Sequence, residues 1–342
     1  VNSLTPNTDY EFYVRADCGG SYSSWVGPFS FSTPCNVFVA PYLEEFDNAS
    51  LPNCWNENGD YNWDYGSSNG TTPSGFADYG AENVEDHSGN NGTFIGMDGS
   101  YNGNGEVTYL YSPLIDVSGL TTTEVKYYVF SNNTDDGALN KLIVEYDNGS
   151  GWVPLDSIQD NLGPDWDERV FYLPCLSGNN IQIRFEVTGD GSGGDTYYHD
   201  ILIDDFEVKE APSCPKPTSL YANNITGSSA EIGWTDNSGS GLFDIEVGPA
   251  GFTPTGTPTE SGINSNPHTL NSLSQVTSYD YYVRSDCGGS DQSLWAGPFT
   301  FTTGQTPVSA FPYTQDWESG QGGWEMSNGS ESNHWFVGTA TN

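Results

Sequence analysis

Short runs of alternating apolar and polar residues recur along the chain, separated by glycine, asparagine, aspartate and proline. In residues 141–146 (KLIVEY) and 181–187 (IQIRFEV), an apolar side chain occupies every second position. A period of two places one face of a β-strand in a core and the other face in solvent. Asn148-Gly149 follows one such run and is typical of a hairpin turn. The pattern predicts an all-β protein without long helices.

The chain also repeats itself. Residues 3–33 (SLTPNTDYEFYVRADCGGSYSSWVGPFSFST) return as residues 272–303 (SLSQVTSYDYYVRSDCGGSDQSLWAGPFTFTT). Because Cys18 corresponds to Cys287, the repeating unit spans roughly 270 residues, which is enough for two different modules. The repeat predicts that two kinds of module alternate in four segments. Residues 1–34 are the end of a module of the first kind, and residues 35–211 are a complete module of the second kind. Residues 212–304 are a complete module of the first kind, and residues 305–342 are the start of another module of the second kind. We therefore expect the sequence to be a piece of a longer repetitive protein.

Each copy of the repeat begins with a leucine that is followed six residues later by a tyrosine: Leu4 and Tyr10, then Leu273 and Tyr279. Aromatic residues alternate along the strand that follows. This arrangement resembles the end of a fibronectin type III domain, in which a corner tyrosine binds the backbone a few residues upstream. The resemblance implies an immunoglobulin-like sandwich at 212–304, with Trp234 in its core.

The other module carries four motifs, at residues 41–47 (PYLEEFD), 86–100 (DHSGNNGTFIGMDGS), 109–116 (YLYSPLID) and 201–208 (ILIDDFEV). Together they resemble MAM-type jelly-roll domains and the related cleaved-adhesin-like domains of secreted bacterial proteins. The resemblance implies a MAM-like jelly roll at 35–211 and part of a second one at 305–342. Its alternation with fibronectin type III domains resembles secreted surface and adhesin proteins of Bacteroidetes, which implies export by the type IX pathway. The predicted fold class is therefore all-β, with tandem β-sandwiches of these two kinds.

Several carboxylates of this module are candidate calcium ligands. The MAM resemblance implies a metal near Asp47, Asp86 and the second aspartate of the closing motif, Asp205. A jelly roll brings its first and last strands side by side, which makes Glu45 a further candidate, and Asp98 is another. Calcium takes six to eight oxygen ligands, mostly carboxylates and carbonyls. We therefore predict a structural Ca²⁺ ion, with the alternative that these acids cap turns and face solvent.

The repeat also indicates how cysteines pair. Cys35 and Cys54 are both present in the first copy and both absent from the second, which indicates that they bond to each other. Closing a loop of about 20 residues would stabilise the fold by roughly 3 kcal/mol. Cys214 lies at the start of the complete fibronectin-like module and Cys287 at the end of its predicted strand F, so we pair these two as well.

Two cysteines remain. The partner of Cys18 would lie upstream of Val1, and Cys175 is expected to be a buried free thiol. Disulfide bonds form in oxidising compartments, so the protein is predicted to be secreted and to act at the cell surface.

The charge balance narrows the possible partners. The sequence has 8 Lys and Arg residues against 46 Asp and Glu residues, a net charge of −38. Nucleic-acid binding requires clustered basic residues, and an anionic membrane surface would repel this chain. No apolar run approaches the about 20 residues that span a bilayer. The four histidines are scattered and no Cys-x-x-Cys pair exists, which argues against a zinc site. The acidic loop 190–195 is a weaker candidate for metal binding because it lacks EF-hand spacing.

Neutral glycans remain plausible ligands, because aromatic rings stack on sugar faces. The candidate contacts are Trp63, Tyr65, Tyr79 and Trp166. The alternative is a structural role, which the recurrence of Trp63 as Trp335 also fits. No Gly-x-Ser-x-Gly or His-Glu-x-x-His motif is present, so we predict no enzymatic activity.

These observations favour a non-catalytic repeat segment of a large cell-surface adhesin or filament protein. Its expected partners are the neighbouring domains of the same chain, together with glycans or another surface protein. One alternative is the stalk or carbohydrate-binding region of a secreted protease or polysaccharide-degrading enzyme. Another is a subunit of a polymer whose incomplete modules are completed by neighbouring chains.

Overall fold

The computed structural model describes residues 1–65, 84–89, 92–99, 105–132, 139–173, 179–189, 199–305, 311–318 and 324. Across these ranges all regular secondary structure is β, in twenty-two strands, as the alternating pattern predicts. Within the same ranges no helix is long and apolar enough to cross a membrane. The chain divides into two compact units, Val1–Ala211 and Pro212–Asn342.

The first unit contains fifteen strands. Their bounds are β1 (Asp9–Val14), β2 (Val26–Ser32), β3 (Phe38–Val39), β4 (Tyr42–Glu44), β5 (Asn56–Gly59), β6 (Asp64–Tyr65), β7 (Ile95–Met97), β8 (Val107–Tyr111), β9 (Ile115–Asp116), β10 (Thr123–Ser131), β11 (Lys141–Asp147), β12 (Trp152–Ile158), β13 (Gly163–Leu173), β14 (Asn180–Thr188) and β15 (Ile201–Glu210).

Strands β3 to β15 form two sheets that enclose one core. One sheet has the order β13-β10-β15-β7-β6, and β4 also pairs with β15. The other has the order β12-β11-β14-β8-β5, and β9 joins it through β14. The pairing of β4 with β15 brings the first and last parts of this sandwich together, as expected for a jelly roll.

The core follows from the period of two. Along β14, Ile181, Ile183, Phe185 and Val187 are fully buried, and the residues between them are half-buried on the opposite face. The facing sheet contributes β10 and β15 side chains to the same cluster. Burying an aliphatic or aromatic side chain of this kind stabilises a fold by about 1.5–3 kcal/mol. The turn of the β11–β12 hairpin contains Asn148-Gly149, as its sequence predicts.

Strands β1 and β2 form a separate two-stranded sheet. Its aromatic side chains are largely exposed, with Phe12, Tyr13 and Phe29 each near half of their full accessibility. The hydroxyl of Tyr10 accepts a hydrogen bond from the amide of Thr5 at 2.7 Å.

The second unit contains seven strands: β16 (Thr218–Asn223), β17 (Ser229–Thr235), β18 (Phe243–Pro249), β19 (Glu260–Ile263), β20 (His268–Asn271), β21 (Ser278–Ser285) and β22 (Ala296–Thr302). They form a three-stranded sheet, β16-β17-β20, and a four-stranded sheet, β19-β18-β21-β22. Trp234 is buried between them and its ring lies 4.9 Å from that of Phe243, which agrees with its predicted core position. The Tyr279 hydroxyl accepts the amide of Ser274 at 2.9 Å, the same bond as in the first copy.

Candidate functional site

The predicted acidic site lies at an irregularity in β15. Residues 201–203 of this strand pair with β7, and residues 206–208 pair with β4. Asp204 and Asp205 lie between these two pairings, and Asp205 has a left-handed φ of 46°. The residues that follow β4 and those that precede β7 therefore approach the same two aspartates from opposite directions. We call Asp47, Asp86, Asp204 and Asp205 the acidic junction.

Two of these carboxylates converge on one glycine. A β-carbon added at Gly92 would lie 2.8 Å from Asp86 Oδ1 and closer still to Asp47 Oδ1. The neighbouring Thr93 amide donates a hydrogen bond to Asp47 Oδ1 at 3.3 Å, and the Thr93 hydroxyl donates to the carbonyl of Phe46. These bonds hold the chain after β4 against the chain before β7, which places Asp47 and Asp86 side by side.

His87 ties the loop at 84–89 to the other two acids. Its backbone amide donates to Asp204 Oδ2 at 3.0 Å, and its Nδ1 lies 2.5 Å from Asp205 Oδ2. The imidazole stacks on Tyr128, with ring centroids 3.4 Å apart. Asp205 is therefore engaged by a histidine, and the loop that carries Asp86 is fixed to β15.

Burial governs the electrostatics of the junction. Asp204 is fully buried, and burial raises its pKa to about 9. Hydrogen bonds from the amides of His87 and Asp205 lower this pKa, while the nearby Asp205 and Asp86 carboxylates raise it further. A carboxylate in such surroundings must bind a proton or lie close to a cation, because an isolated buried charge is very costly.

The donor atoms at the junction are carboxylate oxygens. Carboxylate oxygens are the ligands that calcium prefers, and calcium completes its shell with backbone carbonyls and water. Among the residues that the structure describes, no group of three or more His, Cys, Asp or Glu side chains is arranged around a point that could hold a metal ion. The fit to calcium therefore rests on the convergence of Asp47 and Asp86 and on the buried Asp204 beside them.

The other two predicted ligands differ in burial. Asp98 is buried near Asp64, whose pKa is raised by burial and by the Asp98 carboxylate, and its role as a metal ligand stays a prediction. Glu45 is exposed to solvent. Asp204 was missed, although the sequence carries a signal for it. The apolar positions of β15 change phase between Ile203 and Phe206, which indicates an extra residue at 204–205.

Among the residues that the structure describes, the proposed glycan contacts do not form an exposed aromatic surface. Trp63 retains only 2% of its accessibility, and its ring packs in the core where no sugar could stack on it. Tyr65 packs against the same core, and its hydroxyl is buried without a hydrogen-bond partner among the described residues. Trp166 donates from Nε1 to the carbonyl of Glu85 at 2.9 Å and covers Phe94. Tyr79 lies outside the described residues.

Both predicted cysteine pairs are disulfide bonds in the structure. Cys35 bonds to Cys54 and Cys214 bonds to Cys287. Cys18 is an exposed free thiol. Cys175 and the acidic loop 190–195 lie outside the described residues.

A buried serine–histidine pair also occurs in the first unit. Ser131 Oγ lies 2.7 Å from Nε2 of His199, and both side chains are fully buried. The Ser131 hydroxyl also donates to the carbonyl of Asp160 at 2.8 Å. Because Ser131 is inaccessible and donates its proton to a backbone carbonyl, this pair is structural in character.

No known protein-family model matches the chain. The K1 cleaved adhesin domain of Lys-gingipain from Porphyromonas gingivalis W83 is 16% identical, covers 51% of this chain and 99% of its own length, and gives a TM-score of 0.36. TmCBM61 in complex with β-1,4-galactotriose is 13% identical, with coverages of 48% and 94% and a TM-score of 0.33. The FN1–FN3 domains of chicken CNTN1 are 14% identical, with coverages of 49% and 55% and a TM-score of 0.23. At these values the likeness is one of all-β fold alone.

Proposed function

We infer that this chain is a non-catalytic segment of an extracellular adhesion or display protein, and that the acidic junction of its first unit binds a structural calcium ion. The observation that carries the inference is the convergence of Asp47 and Asp86 on Gly92, next to the buried Asp204. Each of the three comes from a different part of the chain. A cation there would stabilise the contact between the first strands, the loop at 84–89 and the last strand.

The extracellular assignment is supported by two disulfides, which form and persist in oxidising compartments. The finer architecture follows the sequence resemblance: fibronectin type III modules that alternate with MAM-like jelly rolls in a longer surface protein. In this arrangement the sandwiches act as spacers that display binding surfaces away from the cell.

The chain's own residues account for how such an ion would stabilise the unit. Asp47 supplies a carboxylate oxygen at the exposed rim, Asp86 and Asp204 supply buried ones, and His87 holds Asp205 in place by its side chain. A calcium ion adds positive charge where these negative charges otherwise repel one another. Folding then brings the acids together at a lower electrostatic cost.

Thermal unfolding with and without calcium tests this proposal. A ligand present at 100 times its dissociation constant stabilises the folded state by about 2.7 kcal/mol, so the midpoint should rise by several degrees when Ca²⁺ replaces EDTA. Asp86→Asn and Asp47→Asn should each remove most of that rise. Glu45→Gln is the matched control, because Glu45 and Asp47 are neighbouring exposed acids but only Asp47 accepts the Thr93 amide beside Gly92. This variant should keep the full rise. An unchanged midpoint in the unmodified protein, together with no heat of binding by calorimetry, would rule out the calcium site.

A further inference from the structure

The sheet β12-β11-β14-β8-β5 carries an aromatic cluster on the face that points away from the core. Tyr109 and Tyr111 lie on β8, and Trp152 begins β12. The ring of Tyr111 lies 5.9 Å from that of Tyr109 and 5.9 Å from that of Trp152. All three side chains are half-buried, so each keeps part of its ring accessible. We call these residues the outer aromatic cluster.

A polar cavity of about 310 Å³ lies on the same sheet. Asp147, Asn180 and Gln182 line it, together with the exposed Leu114. In the strand register, Asp147 lies opposite Trp152 on one side and opposite Gln182 on the other. The cavity and the outer aromatic cluster are therefore neighbours on one surface.

Several polar groups of the cavity are available to a ligand. Within the part of the chain that the structure describes, the side-chain amides of Asn179 and Asn180 make no hydrogen bond. Asp147 uses Oδ1 to accept the amides of Gly149 and Gly151, at 2.8 and 2.9 Å. Gln182 donates from Nε2 to the carbonyl of Ser112, which leaves its carbonyl oxygen to accept. The cavity thus offers amide donors, amide acceptors and a carboxylate.

The charges on this face favour a neutral ligand. Arg184 lies between the rings, with its guanidinium carbon 4.4 Å from the Trp152 centroid and 5.3 Å from that of Tyr109. Its charge is paired with Glu145 at 2.5 Å, and Glu186 lies beside it. With Asp147 in the cavity, the face carries more negative than positive charge, so anionic ligands would be repelled.

We propose that the outer aromatic cluster and the adjoining cavity bind a neutral oligosaccharide. A pyranose has an apolar C–H face and a rim of hydroxyl groups. The rings of Tyr111 and Trp152 match the apolar face, and the amides of Asn180 and Gln182 match the hydroxyl rim. The cavity lies in the size range of small-ligand sites, which begins at about 300 Å³. This inference does not depend on the acidic junction, since the two sites share no residue.

Affinity gel electrophoresis of the full chain tests the proposal, with soluble β-glucan, galactan, xylan and mannan as neutral probes and polygalacturonate as an anionic comparison. At least one of the four neutral polysaccharides should retard the unmodified protein. Trp152→Ala and Asn180→Ala should each weaken that binding about tenfold or more, as truncation of a central anchor typically does. Asn180→Ala provides a second reading if the tryptophan variant unfolds, which circular dichroism would reveal.

Trp25→Ala is the matched control. Trp25 is an exposed tryptophan under an arginine, with the Arg15 guanidinium carbon 4.6 Å from its centroid, but it lies directly before β2, outside the sheet that carries the outer aromatic cluster. Binding by this variant should equal that of the unmodified chain. The proposal is overturned if none of the four polysaccharides retards the protein, if Trp25→Ala weakens binding as much as Trp152→Ala, or if only anionic polygalacturonate is bound. Retardation that persists in EDTA separates this outcome from the calcium proposal.

Discussion

His199 is fully buried and neutral because both ring nitrogens are committed to hydrogen bonds of opposite sense. Nδ1 accepts the backbone amide of Asn140 at 2.8 Å, so Nε2 carries the proton and donates to Ser131 Oγ at 2.7 Å. Protonation of Nδ1 would break the first bond and place a charge in the interior. Burial accordingly lowers the pKa of His199 to about 4 from its ordinary 6.5.

This histidine makes stability dependent on pH. Between pH 6.5 and 4 the unfolded chain binds a proton that the folded chain does not, so stability is complete above pH 6.5 and is lost as the pH falls towards 4. The loss attributable to His199 is about 3 kcal/mol. His199→Gln can still accept and donate but does not titrate in this range. Urea unfolding at several pH values should show that the free energy of unfolding of the unmodified protein, minus that of the variant, falls by this amount between pH 6.5 and 4. Parallel plots of unfolding free energy against pH for the two proteins would contradict the assignment.

The residues proposed for the candidate sites occupy different environments in the structure. Trp63 was proposed to contact sugars because of its polar loop, yet it is a core residue, since its burial depends on strands distant in sequence. Asp47 and Asp86 both lie beside Gly92, and only the family resemblance, not periodicity, linked these two residues in the sequence; their role as metal ligands stays a prediction. Asp98 is buried, and nothing in its local sequence distinguishes the direction in which it faces, so its role as a ligand stays a prediction.

At the scale of the element, the start of β21 is fixed by a tyrosine. The Tyr279 hydroxyl accepts the amide of Ser274, five residues upstream, and Tyr10 makes the equivalent bond in the first copy. The sequence predicted this corner because leucine, tyrosine and alternating aromatic residues recur with the same spacing. By contrast, the irregularity of β15 was not predicted, although the alternation of apolar and polar residues shifts by one position around Asp204 and indicates it.

Removing the corner hydroxyl should weaken the second unit. Tyr279→Phe leaves the Ser274 amide without its partner, and we expect the free energy of unfolding to fall by about 1 kcal/mol in urea denaturation. Tyr221→Phe is the control, because among the described residues no hydrogen bond involves the Tyr221 hydroxyl. Both substitutions remove one tyrosine hydroxyl group, so an equal fall in the free energy of unfolding would show that the corner hydrogen bond does not stabilise the fold.

At the scale of the whole molecule, the order of modules stays a prediction that rests on the repeat, and the acidic composition argues against nucleic-acid and anionic-membrane partners. The Cys35–Cys54 disulfide was predictable because both cysteines are absent from the second copy of the repeat. The Cys214–Cys287 disulfide was predictable from the positions of its cysteines at the start of the complete fibronectin-like module and at the end of its predicted strand F. The outer aromatic cluster was not predictable in this way. Its rings come from β8, which carries Tyr109 and Tyr111, and from β12, which carries Trp152. Strands β14 and β11 lie between β8 and β12, and only this sheet order brings the rings together.

The net charge of −38 also affects the molecule as a whole. Basic side chains such as Lys126, Arg169 and Arg284 form ion pairs, but the acids greatly outnumber them, and self-repulsion favours expanded states.

Salt should relieve this repulsion, because the screening length falls from about 30 Å at 0.01 M to about 10 Å at 0.1 M. We expect the unfolding midpoint, measured in EDTA, to rise by several degrees as NaCl increases over this range. Choline chloride should produce the same rise, since screening depends on ionic strength and not on the identity of the cation. A rise with sodium alone would instead indicate a specific ion site, and no rise with either salt would mean that self-repulsion contributes little to the stability of this strongly acidic chain.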